Sequence, residues 1–165
     1  MFLHSMILSH IEYCLTSWSY TFDYILKPIE SLFKQALKVL DKKPFTYHHC
    51  NILQKYKLLS FDNFKRFKTA CLIYKSLNDL APPPLEENVI QMSTSATSTR
   101  VTRATARGDC EVPFRNTTFA KNVFSVQGCT LWNSLPSSVR ESPSIPTFKK
   151  HLKSWFRTEQ ICNHL

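Results

Sequence analysis

Apolar residues recur at steps of three and four along much of this chain, and that spacing predicts amphipathic helices. The first such series consists of Leu3, Ile7, Ile11, Leu15 and Trp18. It begins almost at Met1, with no capping residue before it. We therefore expect one helix over residues 3–18, and we expect Met1 to be an internal methionine of a longer reading frame.

A second apolar series follows Pro28, a residue that the first turn of a helix accepts. Its members are Ile29, Leu32, Phe33, Ala36, Leu37 and Leu40. At about 100° per residue, the opposite side of this helix carries Lys27, Lys34, Lys38 and Lys42. Such a row can lie along a phosphate backbone. The alternative is an ordinary solvated helix face.

A third helix is predicted between Ser60, a suitable N-cap, and the stop formed by Pro82, Pro83 and Pro84. Its apolar side carries Phe64, Phe67, Cys71 and Tyr74, and the side away from it carries Lys65, Arg66 and Thr69. The helical period assigns the aromatic rings to the core rather than to stacking on nucleic-acid bases.

The amino-acid composition changes after the three prolines: residues 91–109 are rich in Ser, Thr and Ala and contain no aromatic residue. This composition is typical of a linker or an exposed arm. Arg100, Arg103 and Arg107 are spaced along it. They can hold phosphates once the arm orders on them, or they can simply keep a linker soluble.

The C-terminal part begins with two short extended runs, Glu111–Arg115 and Phe119–Val126, which we interpret as a short hairpin or two short strands. Gly128 is then expected to mark a turn into a short helix that Pro136 stops. Ser144 is a suitable cap for a final helix. The apolar face of that helix carries Ile145, Phe148, Leu152, Trp155 and Phe156, and its other side carries Lys149, Lys150, Lys153 and Arg157.

Together these patterns predict a mainly α fold. We expect a helical lobe of about three helices over residues 1–85, a Ser/Thr/Arg linker or basic arm over 86–109, and a small lobe over 110–165. The small lobe is expected to contain the hairpin and two helices.

The chain has 165 residues and a formal net charge of +9, which favours anionic partners such as nucleic acid. Its first 24 residues contain no Lys or Arg and are interrupted by His4, His10 and Glu12. That segment is therefore a poor signal peptide and too polar to span a bilayer. We expect a cytoplasmic or nuclear location and no membrane partner.

Six cysteines are present, without a C-x-x-C pair, and in such a compartment they are expected to be mainly reduced thiols. The run His48–Cys50 could offer metal ligands, but adjacent residues rarely converge on one ion. We interpret it as a polar helix start and expect no metal site.

The usual signatures of catalysis are missing. Only two glycines occur, so no glycine-rich loop can cradle phosphates, and the five aspartates are isolated from one another. No Ser, Cys or His stands in a recognisable nucleophile motif. We expect no catalytic residue, no cofactor and no enzymatic activity.

One long segment has a more specific pattern: VPFRNTTFAKNVFSVQGCTLWNSLPSSVRESPSIPTFKKHLKSWF. Its W-N-x-L-P core, followed by F-K-x-x-L-K, resembles the closing region of reverse transcriptases of non-LTR (LINE-type, jockey-like) retrotransposons. The residues that carry the motif are Trp132, Asn133, Leu135, Pro136, Phe148 and Leu152. The apolar periodicity makes Trp132 and Leu135 core anchors and Pro136 a helix stop.

Upstream, SMILSHIEYCLTSW, LKPIESLFKQALKVLDKKP and YKLLSFDNFKRFKTACLIYKSLNDLAPPPL are similar to that family's helices in the same order. The resemblance implies a region that follows the polymerase palm, includes the thumb and helps to hold template RNA and target DNA. The family's palm carries an Asp-Asp box, and this sequence contains no Asp-Asp pair.

We therefore expect a non-catalytic fragment that binds RNA or DNA. Its candidate phosphate contacts are Lys34, Lys38, Lys42, Lys65, Arg66, Arg100, Arg103, Arg107, Lys149, Lys150 and Lys153. The alternative is a structural or protein-interaction domain that binds a partner, or itself, through exposed apolar residues such as Leu3, Ile7, Ile11 and Trp18.

Overall fold

The computed structural model describes residues 4–82, 89 and 107–159. Within this part of the chain the fold is mainly helical and contains no strand, so the predicted mainly α class is confirmed. A π-helical turn, His4–Leu8, comes first. The α-helices that follow are α1 (Ser9–Glu12), α2 (Leu15–Trp18), α3 (Asp23–Leu40), α4 (His49–Lys55), α5 (Phe61–Leu77), α6 (Thr118–Lys121), α7 (Phe124–Ser134), α8 (Ser137–Arg140) and α9 (Ile145–Glu159).

Contacts divide the chain into two compact units. The first, unit 1, consists of Met1–Lys65 and Lys153–Leu165, and the second, unit 2, consists of Arg66–Leu152. The boundary therefore falls inside α5 and inside α9. The arm predicted over residues 86–109 lies mostly outside the described residues, and the division into lobes on either side of it stays a prediction. The sequence pattern does not reveal the boundary between the two units, because α5 and α9 each continue through it without a break.

The single helix predicted for residues 3–18 is wrong. Cys14 has a left-handed backbone with φ of 49°, and it separates α1 from α2. The indole Nε1 of Trp18 donates to the carbonyl oxygen of Tyr13 at 2.8 Å across this break. Leu15 is buried as a result, while Ile7, Ile11 and Trp18 are only partly buried.

Helix α3 begins at Asp23, so Pro28 lies inside the helix and not in its first turn as predicted. The helix begins earlier because Leu26 belongs to the buried face together with Phe33 and Leu37. Pro28 has no N–H to donate to the preceding turn, and the helix tolerates the loss of that one bond. These three residues form the core of unit 1 with Leu8, Ile52, Leu53 and Phe61.

The predicted start of α5 is confirmed. The backbone N–H of Asn63 donates to Ser60 Oγ at 3.3 Å, and that of Phe64 donates to the Ser60 carbonyl at 2.8 Å. The helix is buried on more sides than its apolar series predicted. Thr69, which was placed away from the core, is fully buried in unit 2.

The hairpin predicted over residues 111–126 is wrong. Residues 111–115 have no regular structure, while α6 and the first turn of α7 occupy residues 118–126. Thr117 caps α6, since its Oγ1 accepts from the N–H of Ala120 at 3.2 Å. Val126 and Cys129 are both buried on α7, a spacing that belongs to a helix rather than to an alternating strand.

Gly128 lies inside α7 and does not form the predicted turn. A Cβ atom at this position would lie 2.9 Å from Cδ1 of Ile73, a fully buried residue of α5. The glycine therefore lets α7 approach this part of α5 closely within unit 2.

The W-N-S-L-P segment contributes to the core of unit 2. Trp132 and Leu135 are buried, and α7 ends at Ser134, two residues before Pro136. The ring centroid of Trp132 lies 6.0 Å from that of Phe148, which is stacked on Tyr74 at 4.3 Å. The predicted Ser144 cap of α9 is also present, because Ser144 Oγ accepts from the N–H of Thr147 at 3.4 Å.

The same motif holds residues 108–110 against α7. Trp132 Nε1 donates to the Gly108 carbonyl at 3.3 Å, and the Asn133 amide bonds the backbone of Cys110. Next to them, the buried carboxylate of Asp109 is ion-paired with Arg140 at 2.8 Å. Trp132 and Asn133 thus act through polar contacts with a segment more than twenty residues earlier in the sequence.

Candidate nucleic-acid interface

The exposed side of α9 carries three of the predicted basic residues. Lys149, Lys150 and Lys153 are exposed and form no ion pair within the described part of the chain. The opposite side of the helix is fixed by Phe148 and Leu152, both fully buried. Because the buried stripe fixes the rotation of α9, it holds the three ammonium groups in solvent.

Two of the lysines predicted along α3 already have partners within the protein. Lys34 is paired with Glu30 at 2.6 Å, one turn earlier in the helix. Lys38 donates to the Phe45 carbonyl at 2.6 Å, and its ammonium lies 5.1 Å from the centre of the Phe45 ring. Lys42 is exposed just beyond the helix, where its φ is 51°.

Two residues predicted on α5 are not on an open face. The Lys65 side chain is 19% exposed and pairs with Asp62 at 3.2 Å, and Arg66 is half-buried. Their position follows from the burial of α5 on several sides. They are correspondingly weaker candidates for phosphate contact than the lysines of α9.

The arginines of the predicted arm are only partly described. Arg107 pairs with the buried carboxylate of Asp109 at 2.8 Å. Arg100 and Arg103 lie outside the described residues. Lys34, Lys38, Lys42, Lys65 and Lys153 belong to unit 1, and Arg66, Arg107, Lys149 and Lys150 belong to unit 2.

A second basic surface was missed by the sequence reasoning. It lies in unit 1 between the end of α3 and the end of α4, and it contains three pairs of a lysine over an aromatic ring. The pairs are Lys38 over Phe45, Lys43 over Tyr47 and Lys55 over Tyr56, with ammonium-to-centroid distances of 5.1, 5.2 and 5.0 Å. We call it the lysine–aromatic surface. Its sequence signal is the close mixing of lysines and aromatics in KKPFTY, outside any apolar helical series.

Asp41 is the acidic centre of this surface. Its carboxylate accepts from Lys55 Nζ and, at 2.8 Å, from the hydroxyl of Tyr56. The hydrogen bonds from Lys55 and Tyr56 hold the pKa of Asp41 below its ordinary value, and the same bond to Asp41 raises the pKa of Lys55. These contacts tie the end of α4 to the last turn of α3.

His48, His49 and Cys50 bring their ligand atoms within 4.8 Å of one another, closer than their adjacency in sequence suggested. His48 is the N-cap of α4, so the predicted helix start is confirmed. Burial and the nearby Lys34 lower the pKa of His49, which favours its neutral form. Cys50 is disulfide-bonded, contrary to the expected reduced state, and its sulfur is not available as a thiolate ligand.

Among the described residues, no helix is both long enough and apolar enough to cross a membrane. Comparison with models of known protein families, with curated proteins and with solved structures finds no match for this chain.

Proposed function

We propose that this chain binds nucleic acid without catalysing a reaction, as a C-terminal region of a non-LTR retrotransposon reverse transcriptase. The observation that carries the binding function is the exposed row of Lys149, Lys150 and Lys153 on α9, which form no ion pair among the described residues. Unpaired ammonium groups at helical spacing attract phosphates and release counterions when they bind them. The net charge of +9 adds a favourable long-range field.

The retrotransposon origin rests on the resemblance of W-N-x-L-P and F-K-x-x-L-K to that family. The absence of catalysis is supported by the sequence, in which the aspartates are isolated and no Asp-Asp pair occurs. Two-metal nucleotide transfer requires carboxylates that converge on metal ions.

The test is a salt titration of RNA and DNA binding by fluorescence anisotropy. For a duplex, each phosphate contact contributes about 0.9 to the slope of log K against log salt concentration. The variant with Lys149→Gln, Lys150→Gln and Lys153→Gln should lower the slope by roughly 2 to 3. The matched variant with arginine at all three positions should retain the slope, as should Lys121→Gln at an exposed lysine of α6. Absence of binding at low salt would contradict the proposal.

A second candidate function is self-association, favoured by an apolar stripe on α3. Ile25, Leu32 and Val39 are exposed at intervals of seven residues, and the exposed fractions of Leu32 and Val39 are 63% and 77%. This spacing is that of one position in a coiled-coil seam. The stripe differs from the predicted patch, of which Ile7, Ile11 and Trp18 pack against the core of unit 1 and Leu3 lies outside the described residues.

Sedimentation velocity over a range of concentrations tests this candidate. A dimer that Leu32→Gln and Val39→Gln dissociate would support it. A monomer at all concentrations would contradict it.

A further inference from the structure

The lysine–aromatic surface exposes rings that a folded protein normally buries. Phe45 is 72% exposed and Tyr56 is 43% exposed, although each ring lies beneath a lysine ammonium. An exposed aromatic ring loses the free energy of burial unless it serves as a contact. A lysine on one face leaves the remaining ring surface available to a flat partner.

The two rings are anchored at the C-terminal end of α3, one by a residue of its last turn and one by its C-cap. The Phe45 segment is held by Lys38, whose Nζ binds the Phe45 carbonyl, and Tyr56 is held by Asp41 through its hydroxyl. Lys38 lies in the last turn of α3, and Asp41 is the C-cap residue three positions further along the chain. The anchors therefore place both rings at the same end of α3.

The charge around these rings favours an anionic partner. Residues 38–57 contain five lysines and one acidic residue, Asp41, which is already bonded to Lys55 and Tyr56. Lys42 and Lys43 are exposed beside them, with no ion pair among the described residues.

We propose that the lysine–aromatic surface binds single-stranded nucleic acid, with bases stacked on Phe45 and Tyr56 and phosphates held by Lys42 and Lys43. Stacking on aromatic rings within a basic surface is the usual physical basis of single-strand binding. The bases of a duplex are stacked on one another, so their faces are closed to these rings. The proposal rests on the proposed function, because it specifies the form of nucleic acid that the same protein binds.

The experiment measures anisotropy of the full chain with a dye-labelled 20-nucleotide poly-dT strand, a poly-U strand and a mixed-sequence DNA duplex of the same length. We expect the single strands to bind more tightly than the duplex. Phe45→Leu and Tyr56→Leu should each weaken single-strand binding about tenfold, and neither should change duplex binding. Tyr56→Phe retains the ring but removes the hydroxyl bond to Asp41, so it should lose less affinity than Tyr56→Leu.

The matched control is Phe114→Leu, which removes a ring that is 87% exposed in unit 2. It should leave both affinities unchanged, and circular dichroism should show each variant folded. Equal binding of single strands and duplex, or equal losses in Phe45→Leu and Phe114→Leu, would overturn this inference while the proposed function stands. Absence of binding to every nucleic acid at low salt would overturn both. Tighter binding of poly-glutamate than of poly-dT would overturn the inference in favour of an acidic peptide partner.

Discussion

The side-chain amide of Asn133 forms two hydrogen bonds with the backbone of Cys110. The N–H of Cys110 donates to Asn133 Oδ1 at 2.8 Å, and Asn133 Nδ2 donates to the Cys110 carbonyl at 3.0 Å. The amide therefore satisfies both polar groups of one residue, as a neighbouring strand would. An unpaired backbone group at this buried position would carry a desolvation cost.

This contact gives the Trp-Asn pair of the W-N-S-L-P segment a structural explanation. Trp132 fills the core of unit 2 and binds the Gly108 carbonyl, while Asn133 binds Cys110. Cys129 lies one helical turn before Asn133, and its thiol is buried like that of Cys110. The interaction between the two thiols raises the pKa of Cys110, which keeps its proton, and lowers that of Cys129.

Replacing Asn133 should therefore destabilise unit 2. We expect Asn133→Ala to lower the free energy of unfolding by about 2 kcal/mol, since two buried backbone groups lose their partner. Urea denaturation measures this loss. Asn51→Ala, at an exposed asparagine of α4, is the control and should change stability by less than about 0.5 kcal/mol. A loss no larger than that of the control would show that solvent replaces the Asn133 amide.

The thiols should differ strongly in reactivity. Burial raises the pKa of Cys71 to about 11, whereas Cys14 is exposed. Since only the thiolate is nucleophilic, iodoacetamide at pH 8 should label Cys14 before Cys71, with a rate ratio of roughly 100 or more. Peptide mapping by mass spectrometry after timed quenching measures both rates in the native protein. Equal rates in the native state would contradict the burial of Cys71, and equal rates in urea are the expected control.

Helices α5 and α9 could be predicted from the sequence because the capping residue and the apolar periodicity of each helix agree. Ser60 and Ser144 cap α5 and α9, and the periodic apolar residues of each helix face a core. The exposure of Lys149 and Lys153 follows from the same period. Here the local sequence alone determines the element.

Other features depend on residues far away in the sequence. Whether residues 119–126 form strands or helices is not determined by Val123 and Phe124 alone, because both are compatible with either state. The helix forms where Gly128 fits closely against Ile73, a contact over 55 residues of separation. The reduced exposure of Lys65 likewise depends on packing around α5 that its own apolar series does not encode.

The free energy of unfolding should depend on pH because of Asp41. The bonds from Lys55 and Tyr56 lower the pKa of Asp41 in the folded state. The ionised carboxylate therefore stabilises the fold above the ordinary pKa of 3.8, and this stabilisation is lost as the pH falls through the lowered pKa of the folded state. The difference in free energy of unfolding between the natural protein and Asp41→Asn should therefore be largest at neutral pH and should shrink below about pH 4. Urea denaturation between pH 3 and 7 measures it.

The control for Asp41 is Glu111→Gln, at an exposed residue that forms no ion pair in the described part of the chain. Its effect on unfolding should vary little over the same pH range. A difference for Asp41→Asn that is constant from pH 3 to 7 would contradict the lowered pKa.

Gly128 and Ile73 should be energetically coupled. Alanine in place of a helical glycine normally stabilises by about 1 kcal/mol, but the new methyl group would lie 2.9 Å from Ile73 Cδ1, and overpacking of a core costs about 1–3 kcal/mol. Gly128→Ala should therefore leave stability unchanged or lower it. Ile73→Val removes the Cδ1 atom. In the Ile73→Val variant, Gly128→Ala should therefore be more favourable to stability by about 1 kcal/mol than it is in the natural protein. A double-mutant cycle in urea measures the coupling, and strictly additive effects would show that the Ile73 side chain moves aside at no cost.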